Sequence, residues 1–93
     1  MDRIYLNNLF DVYQNMLTDH EQEVFINYFH DDLSLSEIST NKAVTRSAIS
    51  KTINNITAKL MDYENKLHVY HKYQEILNCL EKQNYDKIKM IIE

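Results

Sequence analysis

Lys42, Thr45, Arg46, Ser47, Ser50, Lys51 and Asn54 are hydrogen-bond donors crowded into one short stretch of the chain. From Arg46 onward they recur at the intervals that bring side chains to one side of a helix. A guanidinium and an ammonium group hold phosphates, while hydroxyl and amide groups reach base edges. Donors of these types at these spacings imply contact with a nucleic acid rather than the making or breaking of bonds.

The other polar residues do not assemble into a catalytic set. The hydroxyls read as helix caps or surface groups, and no histidine can be placed beside both a nucleophile and an orienting acid. No enzyme and no cofactor is therefore expected. His30, Asp31 and Asp32 are consecutive, which makes convergence on one metal ion difficult, and they read as ordinary helix-end chemistry. Glu64, His68, His71 and Glu75 share a helical surface at spacings of 4, 3 and 4. Such spacing builds metal sites inside bundles when facing helices supply carboxylates. The first helix offers only Asp2 and Asp11, so a solvated face is expected there, and no metal.

Charge points the same way as the donors. The chain is net −4, with 10 basic and 14 acidic residues. Lys42, Arg46, Lys51 and Lys59 are the only charged residues between Ile38 and Met61, which leaves the remainder eight charges negative. A basic segment on an acidic body is the electrostatic footprint of a nucleic-acid-reading element.

The elements that must position these residues are helices. The chain has no Gly and no Pro, and 44% of its residues are hydrophobic, so Gly-rich phosphate loops are excluded and an all-α fold is expected. Residues 1–93 read as a single helical domain. Ser34 and Glu37 form a capping box ahead of Leu35 and Ile38, which starts a short helix. Thr45 caps a second helix, with Val44 and Ile49 placed for a hydrophobic staple and Ala48, Ile49, Thr52, Ile53 and Ile56 along its apolar side. Two capped helices across a tight joint, over about 34–60, have the layout of a helix-turn-helix. Upstream, Asp2 caps a helix reaching about Leu17, with Tyr5, Leu9, Val12 and Met16 beside Leu6, Phe10, Tyr13 and Leu17 as a broad buried face. Thr18 and Glu21 open another helix, to about Phe29, whose core side is Val24, Phe25, Tyr28 and Phe29.

Beyond Ile56 the apolar rhythm continues through Leu60, Tyr63, Leu67, Tyr70 and Leu77, spaced as in a coiled coil. One helix over about 45–80 would be roughly 54 Å long, against about 25 Å for a compact domain of this size. Its far half must fold back over the first helix, through a break near residues 62–65, or pair with a second chain. The unbroken rhythm favours a homodimer with Leu60, Tyr63, Leu67, Tyr70 and Leu77 at its interface. Asn84 is placed to cap a last short helix with Ile88, Ile91 and Ile92 inward. Lone Cys79 forbids an internal disulfide, and no apolar run approaches the length of a membrane span. A cytoplasmic location is expected, with no signal peptide and no membrane partner.

Several of these residues carry a resemblance. Leu17-Thr18, Asp31-Asp32, Ser34-Leu35-Ser36-Glu37-Ile38, Val44-Thr45-Arg46, Ala48, Ile53, Tyr63-Glu64 and Lys66-Leu67 resemble the small bacterial YlxM family. Its members are associated with the signal recognition particle and have a core similar to region 4 of sigma factors. The resemblance implies an all-helical sigma-region-4-like helix-turn-helix, dimers and a regulatory DNA-binding role, with DNA preferred to RNA. It also implies a link to protein targeting, since the family's genes lie beside those for the particle's GTPase and receptor. Two alternatives stay open: an accessory protein touching the particle's RNA or GTPase, and a purely structural dimeric adaptor. Against the family pattern, Ala43 stands at the turn position usually given to Gly, and Asn41 is the candidate for the left-handed residue. Ser47 and Ser50 are shorter than their counterparts in the family.

Overall fold

A computed structural model describes residues 2–92, and its regular elements are helical. Helix α1, Arg3–Tyr13, starts where the Asp2 carboxylate accepts the Ile4 amide at 2.9 Å. It buries Leu6, Leu9, Phe10 and Tyr13. The helix tightens into a 3-10 turn at Gln14–Met16 before its expected end, which leaves Met16 exposed and Leu17 buried. A complete Thr18/Glu21 capping box then opens α2, Asp19–Phe25. Ile26–His30 widens into a π-helical turn. That winding lets Phe29 stack on Phe25 at 4.5 Å, while Phe25 lies flat on Phe10 at 4.1 Å. Arg3 closes the turn by donating to the carbonyls of Tyr28 and Phe29 and pairing with Asp32.

Helix α3, Leu35–Lys42, begins with the Ser34/Glu37 capping box and buries Ile38 and Ser39. It ends on Ala43, whose φ is 55°. The amide of Val44 returns to the Ser39 carbonyl at 3.1 Å and that of Ala43 to Thr40 at 3.3 Å, the pattern of a Schellman cap. The left-handed residue is therefore Ala43 and not Asn41, because only the position after the last helical residue can close that pair of hydrogen bonds. Thr45 then caps α4, Arg46–Leu67, by accepting the Ala48 amide at 3.1 Å. Ile49, Ile53, Ile56 and Leu60 run down its buried side against α1, α2 and α3. Ala48 is exposed.

The expected 45–80 helix is interrupted, at His68 rather than at residues 62–65. His68 has φ 55°, and α5, Val69–Glu81, turns back onto α1. Three amides at the start of α5 are satisfied from elsewhere in the fold. Buried Glu64 accepts from Tyr70 N–H at 3.0 Å and His71 N–H at 3.1 Å, and the Tyr13 hydroxyl accepts from Val69 N–H at 3.2 Å. Tyr13 in turn donates to Glu64 at 2.6 Å. Burial, then the bond to Glu64, raises the Tyr13 pKa above its ordinary value. Glu64 thus caps a helix from the one before it, and does not lie on the solvated face expected of it. His71 and Glu75 do remain on the surface, with His71 Nε2 2.7 Å from Glu75 Oε1.

This bend also corrects the dimer seam. Leu60 is fully buried in the chain's own core. Tyr63 packs beside Tyr13 and donates to the Met16 carbonyl, and Tyr70 meets Tyr5 edge-on and accepts from Asn8. Of the five positions, Leu67 and Leu77 stay exposed. Helix α6, Tyr85–Ile92, folds back on α5, with Asn84 accepting the Lys87 amide and Cys79 buried on α5. Ile92 faces outward, contrary to expectation. The α5–α6 arm makes the molecule 52 × 22 × 21 Å.

Two stability changes follow. Glu64→Ala removes the acceptor of three donors, the buried Tyr13 hydroxyl and the part-buried Tyr70 and His71 amides, and should cost about 2–3 kcal/mol in urea unfolding. Ala43→Gly removes a strained Cβ and should raise stability by about 0.5–1 kcal/mol by the same measurement.

Candidate nucleic-acid interface

Helical phase decides what α4 shows to solvent. With Ile49, Ile53, Ile56 and Leu60 inward, a step of about 100° per residue carries Ser47, Lys51 and Asn54 to the far side, and all three are exposed. Ser50 lies at the margin and is half-buried. Arg46 is exposed as the first residue of the helix, above the end of the packed stripe. Arg46 and Lys51 form no ion pair or hydrogen bond within the described residues. They stand in the first two turns of α4, where unpaired amides and the helix dipole add positive potential.

Two of the four expected cations are engaged elsewhere. Lys42 donates to Glu23 on α2, which holds the end of α3 against α2. Lys59 donates to Glu21 at 2.7 Å. Lys42 is therefore not a free cation on the α4 face, because a carboxylate of its own chain already neutralises it. Thr45 keeps its hydroxyl proton for a ligand, but its oxygen is taken by the Ala48 amide. The structure thus groups Arg46, Ser47, Ser50, Lys51 and Asn54 on one surface and sets Lys42 apart.

Glu21 ties the start of α2 to α4, since Oε1 accepts from the Thr18 amide at 2.9 Å and Oε2 binds Lys59. Burial alone would raise its pKa, but the hydrogen bonds from Lys59 and Thr18 prevail and lower it. The bond from Lys42 lowers Glu23, and the Ser34 amide lowers Glu37. Glu21 raises Lys59. The separations in sequence are 19 residues for Glu23 with Lys42 and 38 for Glu21 with Lys59, so no local signal announces either pair. A cleft at the other end of the molecule is lined by Tyr5, Glu64, His68, His71, Glu75 and Ile91. It lies in the α4–α5 bend and takes no part in the α4 face.

A family described as "Putative helix-turn-helix protein, YlxM / p13 like" matches residues 1–92. Similar proteins include a UPF0122 protein of Oceanobacillus iheyensis, 40% identical over 77 residues that cover 83% of this chain and 73% of the relative. One from Malacoplasma penetrans is 37% identical over 96% of this chain and 78% of its own. One from Fusobacterium nucleatum is 34% identical over 97% of this chain and 91% of its own.

The lowered carboxylates fix the sign of the acid response. Each binds fewer protons folded than unfolded, so its stabilisation is complete above its ordinary pKa of 4.5 and is lost as pH falls through the lower folded value. The melting temperature should therefore hold from pH 7 to about 4.5 and fall below that. Glu21→Gln should flatten the acid limb.

Proposed function

The chain belongs to the UPF0122 family of YlxM / p13-like helix-turn-helix proteins, and from that premise we propose that it is a regulatory protein that binds nucleic acid through the first turns of α4. The observation carrying this reading is that Arg46 and Lys51 are exposed and without internal partners at the start of the second helix of the motif. In the proposed complex both hold phosphates, Ser47, Ser50 and Asn54 face the groove, and Thr45 donates from the helix start. DNA is the preferred ligand, because an exposed helix fits the major groove of B-DNA and not the narrow one of an RNA duplex. Lys42 keeps its place against Glu23 and sets the angle of α3 to α2.

The reading extends to a homodimer, since paired helix-turn-helix units read paired half-sites and apolar Leu67, Tyr73, Leu77 and Leu80 lie uncovered. It is a binding protein and not an enzyme. No helix among the described residues is long and apolar enough to cross a membrane. We place the protein in the cytoplasm, where buried Cys79 stays reduced. A second reading follows from the charge count. With Lys42 and Lys59 neutralised, the motif keeps Arg46 and Lys51 as its two unpaired cations among the described residues, and on an acidic body these give weak phosphate attraction, which favours a partner recognised by shape or protein contact. The RNA or GTPase of the signal recognition particle is that partner, as the family resemblance implies.

Fluorescence anisotropy with a labelled DNA duplex tests the first reading. Arg46→Ala with Lys51→Ala should weaken binding across sequences and reduce the slope of log affinity against log salt by about 2. An unchanged slope overturns it. Capture of signal recognition particle components from lysate, with no DNA binding at low salt, establishes the second.

A further inference from the structure

The bend at His68 interrupts a rhythm that continues on both sides of it. Ile56, Leu60, Tyr63, Leu67, Tyr70 and Leu77 keep heptad positions straight through the junction, as they would in one uninterrupted helix. One residue stands against that pattern. His68 is held at φ 55°, where an L-residue with a Cβ is disfavoured.

The junction's backbone amides find acceptors in either shape. When the chain is bent, the amides of Val69, Tyr70 and His71 donate to Tyr13 and Glu64. When it is straight, they return to the carbonyls of Asn65, Lys66 and Leu67, four residues back, and need no cap. Straightening takes the Tyr70 and His71 amides from buried Glu64, which keeps the Tyr13 hydroxyl, and uncovers a patch of α1, where Tyr5 and Asn8 lose Tyr70 and Tyr13 loses Val69. A second copy of the chain carries the same Tyr70 on an arm of the same shape.

We propose that two copies of this chain exchange their α5–α6 arms, each arm straightening at His68 and docking on the α1 of the other copy. This rests on the dimer reading above and names its interface. The side-chain contacts of Tyr70 with Tyr5 and Asn8 are reused, so their complementarity is assured by the bent chain itself, as in domain swapping. The arm is suited to the transfer because residues 68–93 carry four basic and four acidic side chains and meet an acidic body without net repulsion. New contact area forms where the hinges cross, and Leu67 and Val69, each 45% exposed in the bent chain, lie there.

Sedimentation of the full chain over a range of concentrations, with two hinge variants, tests the exchange. His68→Gly relieves the bend and favours the closed monomer. It should raise the dimer dissociation constant by roughly 25-fold, about fivefold for each of two hinges. His68→Ala favours continuous helix and should lower that constant several-fold. A dimer whose constant neither variant moves overturns the exchange and leaves the dimer reading standing. A chain monomeric at all concentrations overturns both. Oxidation of a Tyr5→Cys, Tyr70→Cys, Cys79→Ala variant is an independent check: dimers linked between chains support the exchange, and links within one chain only overturn it.

Discussion

Ile49, Ile53, Ile56 and Leu60 seat α4 in the core with exposures of 8% or less, and a helix seated along one line cannot rotate about its own axis. α1, α2 and α3 all pack against that line. Burying four branched aliphatic side chains contributes on the order of 6–12 kcal/mol of hydrophobic stabilisation before chain entropy is counted. A different rotation of α4 would forfeit much of it. The polar side of the helix is therefore held outward as firmly as the apolar side is held inward. Thr45 fixes where α4 starts, and the Schellman turn at Ala43 fixes its angle to α3, so the direction in which Arg46 and Lys51 point is set by packing and capping together.

At its other end α4 is held by a different device. Glu64 and Tyr13 replace the local cap that α5 lacks, because His68 makes no side-chain bond there. One buried carboxylate therefore joins α1, α4 and α5. Charge-assisted bonds of this kind are stronger than neutral ones, which suits a junction that must hold a non-glycine residue at positive φ. The chain has no glycine, and Asp32, Ala43, His68 and Gln83 take the left-handed positions instead. Each carries strain that its surroundings must offset.

What was legible in the sequence was what is local. Asp2, Thr18 with Glu21, Ser34 with Glu37, and Thr45 announce their helices, because a cap and its partner lie within three residues of each other. The phase of α4 was legible from its aliphatic spacing, and with it the outward positions of Ser47, Lys51 and Asn54. The pairing of Lys42 with Glu23 and of Lys59 with Glu21 was not, since it depends on how α2 crosses α3 and α4. The bend was hidden for a related reason. Tyr63 and Tyr70 have the same spacing whether they face a second chain or their own α1, and only the tertiary contacts with Tyr5, Tyr13 and Glu64 decide between the two. Residue preference points to Asn41 as the left-handed residue, whereas the hydrogen-bond geometry at the end of α3 requires it at Ala43.

The central claim, that the outward side of α4 meets a polyanion, is tested most directly by amide NMR of the full chain titrated with a short DNA duplex at low salt. The account expects the shift changes to cluster at Arg46, Ser47, Ser50, Lys51 and Asn54, with α5 and α6 unmoved. Changes centred on the arm, or none anywhere up to saturating duplex, would contradict it.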